Sequence, residues 1–182
     1  AVNTSDTGGD GVFDSVDTCP STLLAVRTSF SARGCPIPRV SGFDIKPDVA
    51  NLNTGAVQNF EVGKNGLGKI RWVDPVDFSK ESTIVDVDTN LVFAAKSVSL
   101  NSSRVSVLNK PAVITLYVRT ETNPKIMNDG VPCTTFQINS FLTGTLVFSV
   151  TGFSTYQVVE GTLPLVIVPI PEPVVVNVPV GG

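Results

Sequence analysis

The chain has 182 residues, no His, 16% charged residues and a net charge of −3, with a pI near 4.8. Without His there is neither the commonest general base nor any Ser-His-Asp or Cys-His arrangement, and an acidic chain has no electrostatic footprint for nucleic acid. Val alone supplies 30 residues while Met and Trp occur once each, a balance that reads as an all-β binding or structural module rather than an enzyme.

Three segments follow one another: a polar, Asp- and Gly-rich stretch (1–38), a stretch with strand periodicity (39–162) and a Pro/Val tail (163–182). The start at Ala1, without Met or a basic apolar leader, reads as a processed product and sets the expectation of a secreted or cell-surface protein.

Within the first segment, Asp6, Asp10, Asp14 and Asp17 fall at the first, fifth, ninth and twelfth places of a twelve-residue loop. Gly11 stands sixth, where a sharp turn is needed, and Val12 would offer its backbone carbonyl at the seventh place. Calcium takes six to eight oxygens, and a short curled loop can supply them. The pattern departs from a helix-loop-helix site at Gly8, where an acid or amide is expected, and at Asp17, which is shorter than Glu. Calcium is therefore the expected cofactor, held by Asp6, Asp10, Val12, Asp14 and Asp17; the alternative is an acidic N-terminus without an ion.

The stretch Asp6 to Pro20, with Asp10, Gly11, Asp14, Asp17 and Cys19 in step and Gly34-Cys35-Pro36 following, resembles a thrombospondin type 3 repeat. The resemblance covers about residues 4 to 38 and implies an extracellular, calcium-stiffened spacer. It also implies a Cys19–Cys35 disulfide, closing a loop of about 17 residues and contributing on the order of 3 kcal/mol. Cys133 is then left as a buried thiol; a different pairing of the three or an intermolecular bond are the alternatives.

In the second segment, short apolar runs alternate with turn signals. Strands are predicted at Gln58–Val62, Lys69–Val73, Thr83–Val87, Leu91–Ser97, Arg104–Leu108, Ala112–Arg119, Thr134–Asn139, Gly144–Val150 and Tyr156–Glu160, with turns at Gly63–Gly66, Asn101–Ser103, Asn128–Gly130 and Thr151-Gly152. The strand spacing predicts an antiparallel β-sandwich with Greek-key, Ig-like connections. The motifs Gly68-Lys69-Ile70, Asp86 to Val92, Asn109 to Tyr117 and Phe148 to Tyr156 are similar to β domains of archaeal surface and appendage proteins, which implies an exported structural or adhesive role.

Lesser features remain. Asp86, Asp88 and Asn90 alternate, so a second ion site competes with a plain strand edge. Trp72 is expected in the core, the alternative being a sugar-stacking platform with Tyr117 and Tyr156. Asn3-Thr4-Ser5 and Asn101-Ser102-Ser103 match the glycosylation acceptor pattern. Of the carboxylates, Glu61, Glu81, Glu121, Glu160 and Glu172 sit in no catalytic motif, and Asp44 and Asp48 read as strand followed by turn.

The third segment, Leu163 to Val180, is apolar and β-branched but broken by five prolines, which bars a membrane-spanning helix. A strand-former of this kind must be covered. Val174, Val175, Val176, Val178 and Val180 are expected to add as a strand to a neighbouring copy or to pack back on their own domain. Together these readings predict a subunit of a filament or pilus-like appendage, polymerised with copies of itself. The alternative is an adhesin or carbohydrate-binding module whose partner is a surface glycan.

Overall fold

The computed structural model describes residues 4–9, 11–17, 19, 34–49, 52, 54–81, 84–134 and 137–162. They build an antiparallel β-sandwich of two five-stranded sheets. One sheet takes β1 (Glu61–Lys64), β2 (Gly68–Trp72), β5 (Ala112–Tyr117), β9 (Thr145–Val150) and β8 (Gln137–Leu142), in the order β1-β2-β5-β9-β8. The other takes β3 (Leu91–Ala94), β4 (Ser97–Leu100), β10 (Thr155–Glu160), β6 (Pro124–Asn128) and β7 (Val131–Pro132), in the order β3-β4-β10-β6-β7.

Period-two alternation places the core. Ala112, Ile114 and Leu116 of β5 lie in register with Val150, Phe148 and Leu146 of β9, and all six are buried. Val98, Leu100, Tyr156 and Val158 face them from the second sheet. Phe148 meets Tyr156 edge-on across the gap, at 6.0 Å between ring centres. Trp72 is wholly buried between Phe60 (5.2 Å) and Phe153 (5.4 Å), and its Nε1 donates to the Leu108 carbonyl at 2.8 Å. The indole is therefore core, and its polar edge is satisfied.

Several predicted boundaries are corrected. Thr83–Val87 holds no strand among its described residues. Asp86 makes one bridge with Arg39, and Val87 opens a single helical turn, α1 (Val87–Asn90). The Asp86 carboxylate accepts from Thr89 N at 3.2 Å, so a side chain that alternates like a strand residue acts instead as a helix cap. Arg104–Leu108 is likewise not a strand. Arg104 N and Val105 N both donate to the Asn101 carbonyl, and the turn runs on into a 3-10 turn at Ser106–Leu108. The hairpins β6–β7 and β8–β9 close on Asp129-Gly130 and Thr143-Gly144, with positive φ at both residues of each pair. Such pairs match the twist of tight hairpins, and Gly accepts that backbone without strain.

Candidate functional site

The N-terminal loop folds around its own carboxylates. Asp6 accepts from Gly9 N (2.7 Å) on one oxygen and from Gly11 N (2.9 Å) on the other. Asp14 accepts from Thr7 N (2.7 Å) and Thr7 Oγ1 (2.9 Å), while its own N–H donates to the Ser5 carbonyl (2.8 Å). The Thr7 backbone bond, with the Ser5 and Thr7 hydroxyls, holds the Asp14 carboxyl below the usual carboxylate range. Asp17 accepts from Cys19 N (2.7 Å) on one oxygen. Its other oxygen, Oδ2, is buried and finds no hydrogen-bond partner.

A disulfide joins Cys19 to Cys35, with 5.0 Å between Cα atoms, and both residues are buried. Cys133 takes no part in that disulfide and is partly exposed rather than buried. The expected calcium ligands are only partly gathered. Asp10 lies outside the described residues, and among those described no three His, Cys, Asp or Glu side chains form a group that would hold a cation. The donor set nevertheless suits a hard cation. Each oxygen of Asp6 accepts one backbone N–H and has room for more, and the buried, unpartnered Asp17 Oδ2 is costly without a positive partner.

The acidic trio has a structural task. Asp86 pairs with Arg39 (3.2 Å), Asp88 accepts from Ser41 Oγ (2.7 Å) and Gly42 N (2.9 Å), and Asn90 Nδ2 donates to the Asp86 carbonyl (2.8 Å). These residues clamp the 39–42 loop. Asp44 accepts from Asn65 N (2.9 Å) and so ties its segment to the β1–β2 turn. Of the glutamates, Glu61 pairs with Lys69 and Glu121 with Lys96. Glu160 accepts from Thr122 N, Thr122 Oγ1 and Asn123 N. The Lys96 ammonium holds Glu121, and the Thr122 hydroxyl holds Glu160, below the usual carboxylate range.

A groove of about 500 Å³ opens beside Ile37, Val40, Pro47 and Val49. The Lys46 ammonium at its rim is turned onto the Ser41 carbonyl (3.0 Å). Of the three aromatics considered for a sugar platform, Trp72 and Tyr156 are buried and Tyr117 is half-buried. Burial also pushes the Tyr156 hydroxyl up from its ordinary value. Asn101 is exposed in its turn, while Asn3 lies outside the described residues.

The two flanks of the sandwich differ. At one flank, the 44–45 segment bonds to β1 through Ile45 N to Gly63 O (3.1 Å) and Gly63 N to Ile45 O (2.9 Å), and neighbouring Phe43 packs edge-on against Phe93 of β3. The opposite flank ends in β8 and the two-residue β7. β8 is exposed along most of its length, with Ile138 at 46% and Leu142 at 75% exposure. This exposure was not legible from residue order, because Gln137 to Leu142 lacks the clean alternation of a half-buried strand. The expected strand-exchange residues Val174, Val175, Val176, Val178 and Val180 lie outside the described residues.

The fold thus defines an all-β sandwich preceded by an acidic loop and a Cys19–Cys35 disulfide. No family model matches the chain, and no curated protein matches it. Solved structures similar to it include a mutant Nup145N APD of Chaetomium thermophilum fused to Nup145C N, at 19% identity over 57% of this chain and 84% of that one, with a TM-score of 0.43. Another is the C-terminal domain of the nuclear pore complex component NUP116 from Candida glabrata, at 24% identity over 57% and 83%, with a TM-score of 0.38. Likeness of this degree carries nothing about function.

Proposed function

We propose that the chain is an extracellular structural subunit of a filament or pilus-like appendage, not an enzyme, whose copies join by strand addition and whose N-terminal unit is stiffened by calcium. The observation that carries this reading is β8, a six-residue edge strand with large apolar side chains in solvent, in a chain that also carries an apolar strand-forming tail. An open edge of this kind is a template for another strand. The buried Trp72 and Tyr156 weigh against an exposed aromatic platform, and hence against the adhesin alternative. The Cys19–Cys35 disulfide suits an oxidising, extracellular setting. Asp17 Oδ2, buried without a partner, supports calcium at the loop, with Asp6, Asp10, Val12 and Asp14 as the other ligands.

The test is assembly. The purified chain in calcium should form filaments visible by electron microscopy, and the chain lacking residues 171–182 should elute as a monomer. Filaments from the shortened chain would refute strand addition by the tail. A full chain that stays monomeric with and without calcium would leave the adhesin or carbohydrate-binding reading.

A further inference from the structure

Resting on that reading, we infer that the outer edge of β8 in one copy is the acceptor for residues 174–180 of a second copy, and that the donor is built to pair along one side only. Three observations converge on this. First, β8 is the best available edge. β1 is bracketed by Ile45, β7 has two residues, and β3 has four, with Phe93 covered by Phe43. β8 offers six residues, and among the described residues only β9 pairs with it.

Second, the sequence directs the tail to another copy. The described chain leaves β10 at Gly161, whose N–H donates to the Asn123 carbonyl, and ends at Thr162. From Leu163 to Val176 there is no Gly, Asn, Asp or Ser to make a turn. Leu163, Val168, Ile170 and Glu172 each precede Pro, a context that disfavours helical backbone. Reaching β8 of the same copy needs a reversal that this sequence does not favour. Run straight, the twelve steps from Thr162 to Val174 span roughly 37–40 Å, about twice the length of a six-residue strand.

Third, Pro169, Pro171, Pro173 and Pro179 all stand at odd positions, while Val174, Val176, Val178 and Val180 stand at even ones. In an extended strand both side chains and N–H directions alternate with residue number. In a donor strand over 173–180 the missing N–H groups of Pro173 and Pro179 would therefore point to one side. The even residues turn complete N–H and C=O pairs to the other side and a row of four Val side chains to one face. Such a strand can join one edge and offers a poor edge to the next.

Four variants of the full chain test this, each first checked for an unchanged monomer melt. Val175→Pro adds a proline on the blank side and should leave the critical concentration for assembly within about twofold. Val176→Pro removes a ladder bond and should raise it by about tenfold or more. Ile138→Lys and Leu142→Lys, at exposed positions on β8, should each do the same, and amides of 137–142 should gain hydrogen-exchange protection in wild-type filaments. If Val176→Pro blocks assembly while both β8 variants assemble normally and 137–142 gain no protection, strand addition stands and β8 is not the acceptor. Equal effects of Val175→Pro and Val176→Pro would overturn the one-sided ladder. Filaments that survive loss of residues 171–182 would instead overturn the proposed function itself.

Discussion

Replacing Trp72 with Phe isolates the buried hydrogen bond from the apolar ring. The indole is fully buried and its Nε1 donates to the Leu108 carbonyl at 2.8 Å. Lys110 N also donates to that carbonyl, at 2.9 Å, so the substitution does not orphan it. The loss is then the ordinary worth of one hydrogen bond, about 1 kcal/mol. The smaller ring leaves a void beside Phe60 and Phe153 that costs about 1 kcal/mol more, at about 24 cal/mol per Å³. About 2 kcal/mol in a domain of this size lowers Tm by about 8 °C. Thermal unfolding followed by circular dichroism measures it, with Tyr117→Phe as a control expected to change stability by less than about 0.5 kcal/mol. A Trp72→Phe shift under about 3 °C would refute the reasoning, since it would mean that neither the bond nor the packing is as tight as the geometry says.

Three further outcomes are expected. Glu160 and Glu121 have folded pKa values below the ordinary Glu value of about 4.3, so their stabilisation is complete above that pH and is lost as pH falls through the lower folded values. Glu160→Gln should therefore flatten the acid limb of a Tm-against-pH curve, and an unaltered limb would remove Glu160 from the account. Calcium at a hundredfold excess over Kd should stabilise the N-terminal unit by about 2.7 kcal/mol; calorimetric titration should show binding to wild type and a large loss in Asp17→Asn, and equal binding by both would exclude Asp17 as a ligand. Asp88→Ala releases Ser41 and Gly42 from the clamp and should cost about 1 kcal/mol, read by chemical denaturation, with Asp88→Asn recovering part of it.

What was legible in the sequence follows from which residues carry the periodic signal. Val113 to Val118 and Thr145 to Val150 alternate because each strand buries one face, and both were readable as β5 and β9. β6 has one buried residue, Ile126, in Pro124 to Asn128, and so gives no alternation to find. β4 was hidden by its turn: Lys96 adopts φ of +60°, a conformation for which Gly or Asn is the usual marker. Asp86, Asp88 and Asn90 misled by alternating at the strand period, where the deciding interactions are a cap to Thr89 and bonds to a loop more than forty residues away. At the N-terminus, the Cys19–Cys35 pair was implied by the resemblance to a thrombospondin type 3 repeat, not by the spacing of the three cysteines, and the disulfide is present. The openness of β8 was not, because it depends on which strands fail to cover it.

Sheet edges that accept strands usually propagate in two directions, and the parity of the tail prolines bears on that hazard directly. A donor strand seated on β8 would be the new edge of the sheet. If its outward side carried a full row of N–H groups, a third strand could add, and filaments would thicken into aggregates. Pro173 and Pro179 remove outward donors at both ends of the Val174–Val178 run, leaving Val175 and Asn177 as the outward N–H groups between them. Under the proposed assembly, growth would then be confined to the tail-to-edge direction, a head-to-tail contact that makes a fibre rather than a closed ring. Changing both Pro173 and Pro179 to Val restores the outward donors without altering the even-numbered face. The double variant should assemble at a critical concentration within about twofold of wild type, since each added hydrogen bond would lie on the outer side. Its filaments should then associate laterally, seen as increased turbidity and bundles by electron microscopy. Filaments of wild-type width from the double variant would mean that some other feature limits the sheet.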